Sequence, residues 1–181
     1  GTGTELKGKT LGIQAYGNVG RLVAQLAKGF GMDVLAFDPF VPADKMVSEG
    51  VTPITDLKEL YRRSNYLSLH IPANEQTKKS INYDLLSMMP KGACLVNTAR
   101  KEVIHEEDLM RVMEERPDFK YVSDIAPDSL AALQEKFGTR VFATAKKMGA
   151  ETAEANVNAG LAAANQVVGF LKEGVDRFRV N

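Results

Sequence analysis

Apolar residues along this chain fall into two alternating patterns. Short runs rich in β-branched and aliphatic side chains, TLGIQA, DVLAF, YLSLHI, ACLVN, YVSDI and VFAT, have the length and composition of strands. Between them, apolar positions recur every three to four residues, which predicts helices over 19–30, 56–62, 83–88, 106–115 and 130–137. Most of the strand runs are apolar at successive positions, as a sheet covered on both faces requires. The pattern therefore predicts an α/β fold, a doubly wound parallel sheet with helices on both faces. Asn82 and His105 stand where helix N-caps are expected. A last, alanine-rich helix is predicted over 152–173, with Gly174 as its natural terminator.

Length and charge narrow the picture further. The 181 residues suffice for one substantial core and read as a single domain. Lysines and arginines number 23 and so do aspartates and glutamates, so no overall positive field favours nucleic acid or an anionic membrane surface as a partner. An anionic ligand must be gripped locally. The chain has neither an apolar run long enough to span a membrane nor a signal-peptide pattern at its start, and a cytoplasmic location is expected. The single cysteine, Cys94, lies in an apolar strand run and reads as a buried residue. With two separated histidines and one cysteine, no metal-ligand spacing can be assembled, and no structural metal is expected.

The segment GIQAYGNVGR follows the first strand run and opens the first helix, the context in which a dinucleotide fingerprint carries meaning. Gly17 would let backbone approach a pyrophosphate, and Gly20 would let helix pack on strand. Tyr16, Asn18 and Val19 fill the intervening positions and lead into amides facing the phosphates. Ala15 takes the first glycine position, where alanine fits if the turn keeps φ negative. Asp38 closes the second strand run about twenty residues on, where a carboxylate can accept both hydroxyls of the adenosine ribose. Pro39, Phe40 and Val41 follow it, with no arginine to neutralise a 2′-phosphate, so NAD is expected rather than NADP. The same opening also suits an S-adenosylmethionine methyltransferase, and Asp38 could be only a strand-end turn former.

The stretch SLHIPANEQTKKSINYDLLSMMPKGACLVNTAR, with GKTLGI before it and YVSDIAPD after it, resembles the core of the D-2-hydroxyacid dehydrogenase family. The resemblance extends over essentially the whole chain. It implies hydride transfer between NAD and a small 2-hydroxyacid. The segments KKMGAETAEANVNAG and FRVN look most like the branch of that family acting on 3-phosphoglycerate, in serine biosynthesis. By position, Arg100 matches the arginine that holds the substrate carboxylate and polarises its carbonyl, a task suited to a planar fork of fixed charge. Thr98 and Ala99 would line the nicotinamide pocket, and Asp124 would lie near the carboxamide. His70, Ile71 and Pro72, with Thr77 after them, match the loop beneath adenine and ribose.

The sequence departs from the family at its acid–base group. TAKKMG stands where the family has a histidine, which puts Lys147 at that position. Lys147 could shuttle protons if burial or the charges of Lys146 and Arg100 lowered its pKa, or could act as a fixed charge. The glutamate partner is displaced too, with Asp128 one residue short of its register. Lys101 and His105 also differ from the family pattern, with no role assigned. The family's substrate domain, largely built from residues before this segment, is expected to be absent. Cofactor binding with little turnover is then expected, and the long helix and tail over 152–181 would lose a packing partner and offer a face to a second copy, a homodimer. A non-catalytic NAD-sensing or corepressor-like module of the same family is the rival reading.

Overall fold

The computed structural model describes residues 6–144 and 153–177, with side chains of the last helix described over 160–172. Seven strands form one sheet: β1 (Thr10–Gln14), β2 (Asp33–Phe37), β3 (Thr52–Pro53), β4 (Tyr66–Leu69), β5 (Cys94–Asn97), β6 (Lys120–Ser123) and β7 (Val141–Ala143). Their order is β3-β2-β1-β4-β5-β6-β7 and every pairing is parallel. The helices are α1 (Asn18–Gly29), α2 (Ala43–Ser48), α3 (Leu57–Arg63), α4 (Tyr83–Leu86), α5 (Glu106–Glu115), α6 (Leu130–Phe137) and α7 (Ala153–Arg177). The chain winds outward from β1 to β3, then returns to β4 and winds the other way. That reversal opens a crevice at the carboxyl ends of β1 and β4, where open α/β sheets bind ligands.

Strand side chains alternate between two apolar layers, one on each face. Leu35, Leu67, Leu69, Leu95 and Tyr121 face a layer completed by Leu60, Leu85, Leu109 and Leu133 from α3 to α6. Leu11, Ile13, Val34, Ala36, Val96 and Val122 face the opposite layer, which contains Val23 and Ala27 of α1. Ala164, Val167, Phe170 and Leu171 of α7 are buried in that same layer, and Phe170 meets Phe142 edge-on at 6.2 Å. The last helix thus has a packing partner within the chain. Cys94 is buried in β5 as expected, and burial pushes its thiol up to about 12. Among the described residues, no helix is long and apolar enough to cross a membrane.

One expectation needs correction and one unit is new. Helix α7 runs through Gly174 to Arg177, because one glycine costs a helix only about 1 kcal/mol relative to alanine and stops it only where another conformation is better satisfied. The α2–β3 unit was not foreseen. Its helix and strand are too short for a period to show, and the strand is an edge strand ending in Pro53, a residue that interior strands avoid. The predicted caps hold: Asn82 accepts from the Leu85 amide at 3.2 Å, and His105 Nδ1 from the Asp108 amide at 3.2 Å.

Gly12 in β1 packs against α3. A Cβ there would lie 2.0 Å from Ser64 Oγ and 3.0 Å from its Cβ. Gly12→Ala is therefore expected to destabilise the fold by about 1–3 kcal/mol through overpacking. Thermal unfolding of the variant, and recovery of part of the loss on adding Ser64→Gly, would check this.

Candidate functional site

Strand register brings the candidate residues to one edge. Gln14, Phe37, Leu69, Asn97 and Ser123 are aligned across the sheet. The residues that follow them are Ala15, Asp38, His70, Thr98 and Asp124. Five segments far apart in sequence therefore emerge side by side at the crevice.

At the first turn Ala15 has φ +83, so the expected negative φ is wrong. The Ala15 amide donates to the Phe37 carbonyl at 2.9 Å, and the chain must reverse at once into α1, which forces the left-handed conformation. An alanine in that region costs about 1 kcal/mol. Gly17 is the N-cap of α1, and a Cβ on it would meet only open space. No side chain caps α1 and no acidic residue lies in its first turn, so the positive end of the helix is left for an outside anion. Asn18 and Val19 begin the helix there. Gly20 serves packing instead, since its Cβ would lie 2.6 Å from the Ala15 carbonyl oxygen.

Asp38 is held twice. Its Oδ2 accepts from the Tyr16 amide at 2.8 Å and its Oδ1 from the Phe40 amide at 2.9 Å. The second bond is the turn-forming one, and the first ties β2 to the glycine turn. Each oxygen keeps acceptor capacity for a further donor. Pro39 and Phe40 follow on the surface, Phe40 being 92% exposed.

A second group surrounds a depression of about 260 Å³ lined by Val19, His70, Ile71, Pro72, Thr98, Ala99, Arg100 and Ala163. His70 donates its amide to the Gln14 carbonyl at 3.0 Å, and its Nε2 pairs with Ser68 Oγ at 2.8 Å. Burial lowers the imidazole to about 4, so it is neutral near pH 7 and unsuited to proton transfer there. Because the folded value is depressed, the unfolded chain takes up the proton first. This part of the stability is intact above about 6.5 and lost as pH falls towards about 4. His70→Asn should accordingly lose less stability than the parent chain between pH 7 and pH 4.5, measured by denaturant unfolding. The Thr77 hydroxyl donates to the Pro72 carbonyl at 2.5 Å and accepts from the Asn74 amide at 2.8 Å. It closes the loop that carries His70 to Pro72.

The loop after β5 is shaped by Asn97, which the sequence reading left without a role. It is 1% exposed; its Oδ1 accepts from the Ala99 amide at 2.9 Å. Its Nδ2 donates to the Arg100 carbonyl at 3.1 Å and to the Tyr121 hydroxyl at 3.2 Å. A buried asparagine ending an apolar strand is the signal that could have found it. Asn97→Ala would strand these partners and should cost about 1–3 kcal/mol in thermal unfolding. The Arg100 side chain is 57% exposed and gives one nitrogen to Glu102 Oε2 at 3.1 Å. Asp124, 8% exposed, donates its amide to the Asn97 carbonyl at 3.3 Å.

Asp128 lies in a neighbouring depression with Lys101, His105 and Glu106. Its carboxylate is 79% exposed and accepts from Lys101 Nζ at 2.8 Å, an ion pair that raises the lysine's pKa. Glu106 fastens the same loop, accepting from the Asp128 and Ser129 amides at 3.0 and 2.9 Å. Lys101 and His105 thus have structural roles, as ion-pair partner and helix cap. Lys147 lies outside the described residues.

An uncapped helix start, an open Cβ position at Gly17 and a carboxylate fixed between two amides fit a dinucleotide lying across the switch point. Known proteins agree. Residues 1–137 match the family described as D-isomer specific 2-hydroxyacid dehydrogenase, NAD binding domain. Over 176 residues the chain is 32% identical to D-3-phosphoglycerate dehydrogenase of Methanocaldococcus jannaschii, covering 94% of this chain and 32% of that protein. It is 43% identical over 107 residues to hydroxypyruvate reductase of Thermotoga maritima, covering 59% of this chain and 34% of that one. The crystal structure of NAD+-bound 3-phosphoglycerate dehydrogenase from Entamoeba histolytica superposes with a TM-score of 0.75 and 43% identity, over 97% of this chain and 56% of that one. The chain spans about a third of the length of these two curated relatives. With the match extending over most of its residues, the chain belongs to the NAD-binding domain family of the D-isomer specific 2-hydroxyacid dehydrogenases.

Proposed function

We propose that this domain holds NAD at the crevice, and that the protein it belongs to oxidises or reduces a small D-2-hydroxyacid, with 3-phosphoglycerate as the substrate of first choice. The doubly held Asp38 beside the uncapped start of α1 carries the reading. A carboxylate so fixed can accept both ribose hydroxyls without reorganising, and it repels a 2′-phosphate. Gly17 to Gly20 supply amides for the pyrophosphate, while Tyr16 holds Asp38 through its own amide and His70, Ile71 and Pro72 give the floor. Thr98, Ala99 and Asp124 border the nicotinamide end. Bound NAD supplies the hydride acceptor or donor. Arg100 orients the substrate carboxylate and stabilises charge on the carbonyl oxygen. Lys147, at the family histidine's place in the sequence, is the candidate proton carrier or fixed charge. The relatives named for phosphoglycerate and hydroxypyruvate support this substrate class.

Titration of the chain with NADH and NADPH, followed by nicotinamide fluorescence, tests the cofactor assignment. Saturable NADH binding with much weaker NADPH binding is expected. A folded chain indifferent to millimolar NADH would falsify it. Little turnover of phosphohydroxypyruvate is expected from the chain alone, because Arg100 is left open to water.

The ion pair that occupies Asp128, together with the lysine at the histidine position, favours a second reading as an NAD-sensing module without turnover. The parent protein decides between them. A Lys147→Ala variant that keeps full activity would remove Lys147 from the chemistry, and a parent that binds NADH yet reduces no 2-ketoacid would establish the sensor.

A further inference from the structure

On the reading that this domain binds NAD, we infer that Glu49 is a positioning residue for the cofactor site, holding the phosphate-binding turn and Asp38 in place through Tyr16 and Arg21. Glu49 follows α2 directly, as its C-cap. Its Oε1 accepts from the Tyr16 hydroxyl at 2.6 Å and from Arg21 Nε at 3.2 Å, and its Oε2 accepts from Arg21 Nη2 at 2.5 Å. Lys45 Nζ approaches Oε2 at 3.8 Å. Backbone around Glu49 is tied to α1 as well, since Gln25 donates to the Glu49 carbonyl at 3.1 Å and Lys28 to that of Gly50 at 3.2 Å.

The Tyr16 ring is 1% exposed, so it has little freedom except through its hydroxyl. The amide of the same residue donates to Asp38 Oδ2. One residue therefore links Glu49, through its hydroxyl, to the ribose carboxylate, through its amide, and a shift of the backbone at Tyr16 would move that amide away from Asp38. The residue before it, Ala15, is held at φ +83, a conformation that persists only when its surroundings over-determine it. Glu49 supplies such a constraint from outside the turn. It also pairs Arg21, one turn into α1, by a forked bond. Hydrogen bonds from Arg21 and then Tyr16 hold the Glu49 carboxyl down at about 2, so the clamp is charged at neutral pH.

The test uses this chain with Tyr16→Phe, which keeps the buried ring, and Glu49→Gln. At a temperature well below unfolding, affinities for NADH and for ADP-ribose should each fall about fivefold, an effect typical of a site coupled through one contact. NADPH should lose less, narrowing the cofactor preference, because Asp38 is less firmly aimed. The double variant should bind no worse than Glu49→Gln alone, since Tyr16→Phe breaks a link that Glu49→Gln already weakens. In the unliganded chain, hydrogen exchange at the Tyr16 amide should quicken in both variants while the β4 and β5 amides keep their protection. Lowered melting temperature with unchanged affinities, or an unaltered Tyr16 amide, would overturn the inference and leave Glu49 a stability residue. Failure of the unaltered chain to bind NADH would instead defeat the proposed function, and the exchange measurement would still judge the clamp.

Discussion

Asp38→Asn is expected to weaken NADH binding by about 30- to 100-fold, corresponding to about 2–3 kcal/mol. The carboxylate is proposed to accept two ribose hydroxyls, and hydrogen bonds to a charged acceptor are worth about 1.5–3 kcal/mol each before partial solvent exposure reduces them. Asparagine keeps one acceptor oxygen, so the Tyr16 or the Phe40 amide retains a partner. The fold should therefore survive, which alanine would threaten by stripping both amides. NADPH should lose far less than NADH, because the same change removes the repulsion of its 2′-phosphate. The NADPH affinity of the variant should fall with added salt more steeply than its NADH affinity. Parallel fluorescence titrations of both cofactors check this; equal losses for both would sink the assignment of Asp38 to the ribose.

Gly20→Ala and Gly17→Ala are expected to separate folding from binding within one turn. A Cβ on Gly20 would lie 2.6 Å from the Ala15 carbonyl oxygen and 3.1 Å from Ile13 Cγ2. Neither neighbour can yield cheaply. The Ala15 amide is fixed to the Phe37 carbonyl, and Ile13 is fully buried in the core. The variant should lose about 1–3 kcal/mol of stability by overpacking, and NADH affinity should drop at least tenfold as the turn is pushed outward. A Cβ on Gly17 meets nothing, so Gly17→Ala should unfold within a few degrees of the parent chain. It should nevertheless lose NADH affinity, because the open space is where a pyrophosphate is proposed to lie against the helix start. Thermal unfolding and NADH titration of the two variants give the comparison. If Gly17→Ala bound NADH normally, the phosphates would have to lie elsewhere.

Much of this was legible before any coordinates. Short continuous apolar runs such as ACLVN have the length and composition of strands covered on both faces, and β5 is buried at all four positions. Asn82 and His105 announced helix starts because short polar side chains satisfy amides that the helix leaves open. The place of Asp38, just after β2 and beside the glycine turn, was legible because a carboxylate ending a strand after such a turn is tied to a spacing. The α2–β3 unit escaped because six and two residues are too few to display a period. The conformation of Ala15 escaped because it is imposed by the Phe37 carbonyl and by the close approach of Gly20, partners outside its own sequence neighbourhood. Asn97 and Glu49 escaped for a related reason. Their partners lie on other elements, so no local pattern marks them.

By itself the order of residues determined the class of fold, the winding of the sheet and the strand ends at which the candidate residues stand, because strands covered on both faces and joined by helices leave few other arrangements. Only the tertiary structure decided which side chains meet there: Asp38 with the Tyr16 amide, Glu49 with Tyr16 and Arg21, and Asp128 with Lys101 rather than with the Arg100 depression. Hydrogen bonds and ion pairs act over a few ångströms and depend on direction, so they are settled by packing across elements, which no spacing along the chain encodes.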